Sequence, residues 1–126
     1  MREGYLQDKL RDDLVSKGYE VLVFCDSFTS GIPDMYACKD GEEHWIEIKV
    51  CNKKEGQKIH LDDSKSSERG FTRQQAIQLF KLKEKGINAY GLIYIAEAQI
   101  QVKVEPEDMD NTYTYKDLCK LPEVKF

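Results

Sequence analysis

The sequence predicts an α/β fold, a mixed central β-sheet flanked by helices, built as one domain over residues 1–126. Three observations carry that expectation. Hydrophobic periodicity passes from helical to alternating and back, giving the order helix, three strands, helix, two strands. Asp40-Gly41, set between two strand-like segments, is a strong tight-hairpin signal. A helical segment separates the third strand from the fourth, as in a right-handed crossover within one sheet.

The first helix is expected over residues 3–17. Leu6, Leu10 and Leu14 recur every four residues, and Lys17-Gly18 is a stop signal. Residues 19–25 are β-branched and aromatic and read as a strand, and 26–31 as a polar loop. Residues 34–39 and 43–51 form the two arms of the hairpin. Alternation along the second arm puts Trp45, Glu47 and Lys49 on one face and Ile46, Ile48 and Val50 on the other. Residues 52–70 are a long polar loop with a short strand at 58–61, and loops of that length are functional or disordered.

Thr72 and Gln75 match a capping box that opens the second helix, with Phe71 and Ala76 as its hydrophobic staple. Ile77, Phe80 and either Leu79 or Leu82 supply its apolar face, and Gly86 ends it. Residues 88–96 read as a strand buried on both faces, and 99–104 alternate as an edge strand does. Within 113–126 one short helix is expected before Pro122.

Bulk properties narrow the function. The net charge is −4 and the pI about 5.2. That argues against a protein that coats nucleic acid through a basic surface, but not against an acidic metal site. No apolar run approaches the roughly 20 residues of a bilayer span. Met1-Arg2-Glu3-Gly4-Tyr5 has no signal-peptide character. A cytoplasmic protein is expected, or one in the host cytoplasm if the source is a virus, with no membrane partner. Cys25, Cys38, Cys51 and Cys119 are scattered, and neither His44 nor His60 completes a zinc-like spacing. Reduced thiols follow.

The chemistry concentrates in two short segments. Asp34 closes Gly31-Ile32-Pro33-Asp34, and thirteen residues later Glu47 stands in Trp45-Ile46-Glu47-Ile48-Lys49. Taken singly, Pro33-Asp34 is a common turn, and Glu47 with Lys49 is an ion pair on a solvated strand. Together they read differently, because Glu47 and Lys49 lie in the chain's most apolar local context. Charges on a strand expected to be central need paired or metal partners. Asp34, Glu47 and the Ile48 carbonyl are hard oxygen ligands for Mg²⁺ or Mn²⁺ beside a phosphodiester. Lys49 would hold the attacking water or stabilise charge on the phosphate. Lys53, Lys54 and Lys58, then Arg69 and Arg73, offer contacts to a nucleic-acid backbone. Lys81, Lys83 and Lys85 read as a solvated helix face.

These residues resemble the PD-(D/E)xK nuclease superfamily, and within it the VRR-NUC and Holliday-junction-resolvase-like families. The resemblance runs from about residue 3 to 96. It implies a restriction-endonuclease-like α/β/α core and places Glu3, Asp34, Glu47, Lys49 and Gln75 in the site. It further implies Mg²⁺ or Mn²⁺ dependence, branched DNA as substrate and a homodimer. The loop from Cys51 to Gly70 is longer than in small VRR-NUC domains. Two other readings share the fold: a nucleic-acid-binding module without catalysis, and an RNA endonuclease.

Overall fold

The structure, a computed structural model, describes residues 1–24, 32–65 and 70–126. Helix α1 (Glu3–Ser16) buries the stripe Leu6, Leu10 and Leu14. It ends where Lys17-Gly18 predicts. Gly18 takes φ +92°, and the N–H groups of Gly18 and Tyr19 return to the carbonyls of Val15 and Leu14, which closes a Schellman turn. Strand β1 (Glu20–Val23) leaves out Tyr19 and Phe24 of the expected 19–25, and Cys25 lies outside the described residues.

Strands β2 (Met35–Lys39) and β3 (Glu42–Cys51) form the expected hairpin, with Lys39 opposite Glu42. Asp40 and Gly41 close it at φ +52° and +81°. Two successive positive φ angles are what a primed two-residue turn demands, hence Asp-Gly. On its other edge β3 pairs in parallel with β5 (Ala89–Ile95). The connection between them is α2 (Arg73–Glu84), so the expected crossover is present. The sheet runs β1-β2-β3-β5-β6, with β6 (Ile100–Val104) at the far edge.

The polar segment after β3 holds the short strand β4 (Lys58–His60). Its partner is β7 (Thr112–Thr114), from the tail, in a separate two-stranded sheet. Nothing in the local pattern of 112–114 announces that strand, because its partner lies some fifty residues away. The short helix α3 (Tyr115–Cys119) follows, ahead of Pro122.

Each face of the main sheet carries its own core. On one, Leu6, Leu10 and Leu14 of α1 pack on Met35, Ala37, Ile46, Ile48, Tyr90 and Leu92. On the other, Leu79 of α2 joins Phe71, Ala89, Ile93, Ile95, Met109 and Leu118. Strand β5 is thus covered on both sides, as its composition predicts. Of the strand's apolar positions Tyr90, Tyr94 and Ile95, Tyr90 and Ile95 are core, while Tyr94 packs against it half-buried.

The buried face of α2 differs from the expected one. Leu79 is buried, with Ala76 and Leu82 packed beside it, whereas Ile77 and Phe80 are about two-fifths exposed. A four-residue apolar rhythm fits either stripe; the direction of the sheet selects between them. Among the described residues no helix is long and apolar enough to cross a membrane, and Cys38, Cys51 and Cys119 are outside disulfides.

Gly91 pairs with Glu47 across the parallel ladder. A Cβ there would come within 2.6 Å of the Phe71 ring and 2.8 Å of Met109. Gly91→Ala is therefore expected to cost about 1–3 kcal/mol by overpacking, measured as a lower urea midpoint with an unchanged m-value.

Candidate active site

The hairpin delivers the two carboxylates. Pairing between β2 and β3 runs from Lys39–Glu42 to Met35–Ile46. One step further, Asp34 stands opposite Glu47. There the Asp34 carboxylate replaces the missing ladder carbonyl: the Ile48 N–H donates to its Oδ2 at 2.8 Å. In return the Asp34 N–H donates to Glu47 Oε2 at 3.2 Å. Pro33 immediately before Asp34 has no N–H to lose, which suits a position where the strand leaves the ladder.

The crossover helix delivers Gln75. Gln75 serves two purposes at once. Its Oε1 accepts the Thr72 N–H at 2.9 Å while the Thr72 hydroxyl accepts the Gln75 N–H, completing the expected capping box. Its Nε2 donates to Glu47 Oε1 at 2.7 Å. The cap fixes the direction of the Gln75 side chain, and that direction is toward the sheet. Capping and contact with the site are one geometry.

Lys49 completes the group. Its Nζ lies 3.9 Å from Glu47 Oε1, with both side chains almost wholly buried. The ammonium also sits 5.9 Å from the centre of the Phe71 ring, within reach of a cation–π contact. Phe71, which the sequence suggested only as a helix staple, thus stands beside the site.

Burial pushes the Glu47 carboxyl well above the ordinary glutamate range, to about 8. The Asp34 carboxylate pushes in the same direction, and Lys49 opposes both. Two carboxylates held this close need a proton or a cation between them. The donor set suits a hard divalent cation: Asp34, Glu47 and the Ile48 carbonyl are all oxygen ligands. The histidines lie elsewhere. His44 bonds with Tyr90 and Glu42, and His60 with Thr112.

The remaining sequence-derived residues stand on other segments of the chain. Glu3 is half-buried in the first turn of α1. The N-terminus of that region meets the end of β3, where the Met1 amine donates to Asn52 Oδ1 at 3.2 Å. Among the described residues, no three His, Cys, Asp or Glu side chains converge as a metal cage. Lys53, Lys54 and Lys58 follow β3, the first half-buried and the other two exposed, and Arg73 is exposed at the start of α2. Arg69 lies outside the described residues, as does Gly31.

The sheet order, the parallel crossover through α2 and the helix on the opposite face define a restriction-endonuclease-like α/β fold. Among solved structures, the chain is similar to the Holliday junction resolvase Hjc of the archaeal hyperthermophile Archaeoglobus fulgidus. The TM-score is 0.64 at 15% sequence identity, over 93% of this chain and 92% of that one. At that identity the likeness establishes the fold. No family model and no curated protein matches the sequence itself.

The raised Glu47 carboxyl sets a pH dependence. Its folded state binds a proton that the unfolded state releases, so its stabilising contribution is full below about 4.5 and lost as pH rises through about 8. In EDTA, unfolding free energy should fall by about 2–4 kcal/mol across that window. Glu47→Gln should flatten the slope in urea titrations at successive pH values.

Proposed function

We propose that this chain is a divalent-metal-dependent endonuclease that hydrolyses DNA phosphodiester bonds, selective for branched structures such as Holliday junctions. The convergence of Asp34, Glu47 and Lys49 beside Gln75 carries the reading. It gains support from a fold similar to that of a junction resolvase.

In this reading Asp34, Glu47 and the Ile48 carbonyl hold Mg²⁺ or Mn²⁺. When bound, the cation neutralises charge at the scissile phosphate and acidifies a bound water. The protein's own groups do the positioning. The Ile48 N–H fixes Asp34, and Gln75 fixes Glu47, so neither ligand must reorganise when the substrate arrives. Lys49, shielded by Phe71 and kept near Glu47, aims its N–H donors at charge developing on the phosphate or at the attacking water. Glu3 would join the metal's outer surroundings from α1.

Lys53, Lys54, Lys58 and Arg73, with Arg69, would contact backbone phosphates on either side of the cut. A junction has two-fold symmetry, and paired cuts need two sites, so a C2 homodimer is the economical assembly. A monomeric mass by sedimentation at micromolar concentration would remove that part of the reading.

The decisive assay presents a four-way junction, a flap, a splayed arm, a single strand and a linear duplex, each with Mg²⁺ or Mn²⁺, beside matched RNA. Cleavage of the branched DNA should dominate and stop in EDTA. Glu47→Ala and Lys49→Ala should each lower the rate by about 10³-fold or more with the fold retained. Gln75→Ala should cost about 10- to 100-fold. Full activity in EDTA, or in Glu47→Ala, would sink the proposal; preferential RNA cleavage would move it to ribonucleases on this fold.

A further inference from the structure

The face of the sheet that carries Glu47 and Lys49 continues away from them as a row of rings. Register places Leu22 opposite Tyr36 and Tyr36 opposite Trp45, so these three side chains line one row across β1, β2 and β3. In the next row the Phe24 N–H donates to the Asp34 carbonyl at 2.9 Å, which sets Phe24 beside the two carboxylates. Phe24 lies parallel to Trp45, with ring centres 5.8 Å apart and planes at 3°. Tyr36 meets Trp45 at 4.7 Å.

All three rings are only half-buried, and Leu22 is 50% exposed. Helix α2 packs over β5 and the 106–108 turn, while α1 lies on the opposite face. Among the described residues, nothing demands that aromatic side chains stay half-open beside a polar site.

We propose that Phe24, Tyr36 and Trp45 form a stacking platform for unpaired bases next to the scissile phosphate. The inference deepens the nuclease reading and rests on its nucleic-acid substrate. Three features select bases over other occupants. Rings offer π-faces on which any base stacks, whereas a protein partner would be matched as well by aliphatic groups. Trp45 is two residues from Glu47, about 7 Å along the strand, so the base next to a phosphate held at Glu47 comes within reach of the indole. The fringe is acidic: Glu43 accepts the Tyr36 hydroxyl at 2.7 Å. A carboxylate there repels backbone phosphates and turns the bases, not the backbone, toward the rings. Duplex DNA hides its base faces, so the platform favours strands that are open beside the cut.

Trp45 is the chain's single tryptophan, and its emission therefore reports from the platform alone. The full chain is titrated with oligothymidylate, an abasic oligomer of the same length and a blunt duplex. Calcium is the only divalent cation, and the DNA is checked as intact on a gel. Oligothymidylate should quench Trp45 to saturation, and the other two should not. Tyr36→Ala should weaken oligothymidylate binding about 5- to 50-fold, while Tyr36→Phe, which keeps the ring, should retain it.

Equal quenching by the abasic oligomer, absence of quenching, or no effect of Tyr36→Ala would overturn the platform. So would a dimer in sedimentation that Tyr36→Ala dissociates while DNA leaves Trp45 unchanged, since the face would then belong to a second copy. Cleavage without quenching sinks the platform and leaves the nuclease standing; quenching by a chain that cuts nothing does the reverse.

Discussion

The close approach of Asp34 and Glu47 is the constraint on which the rest of this structure turns. Glu47 is almost fully buried, so its charge has little water to stabilise it, and a second carboxylate beside it makes ionisation harder still. Left alone, such a pair would open the strand or protonate. Here burial favours a proton on Glu47, and Asp34 Oδ2 and both Glu47 oxygens are given donors drawn from different parts of the chain. Asp34 receives the Ile48 N–H, and Glu47 receives Gln75 and the Asp34 N–H. Lys49 supplies the nearby positive charge. The hairpin, the central strand and the crossover helix must all be in place before the pair is tolerable.

That requirement explains the unequal treatment of the two sheet faces. The α1 face is an ordinary apolar core, with three leucines on alternating Ile and Ala positions. The α2 face must be apolar toward β5 and β6 yet polar at β3. Gly91 resolves the conflict locally, since its missing side chain lets Phe71 reach across β5. Phe71 then shields Lys49 and, as the residue before Thr72, anchors the turn that aims Gln75. One small residue thereby ties core packing to the orientation of the site.

Electrostatics follow the same division of labour. A net charge of −4 gives no general attraction for nucleic acid, so any such partner must be held locally. Basic side chains stand after β3 and at the start of α2, whereas the ring-bearing edge of the same face is fringed by carboxylate. On the proposed reading, a nucleic acid would be held through its phosphates at one side of Lys49 and through its bases at the other.

Much of this was legible in the sequence because it rests on local rules. The Asp-Gly turn, both Gly helix stops, the Thr72–Gln75 box and the alternation that sets Glu47 beside Lys49 each depend on residues only a few places apart. The β4–β7 pairing, the choice of Leu79 over Ile77 and Phe80, and the reach of Phe71 to Lys49 were not legible, since each depends on a surface supplied by a distant segment. Gln75 shows the boundary most clearly. By itself the sequence determined that this side chain caps its helix; only the tertiary structure decided that the capped side chain also touches Glu47. A cap is set by neighbouring dihedral angles, whereas a contact across 28 residues exists only after the parallel crossover has closed.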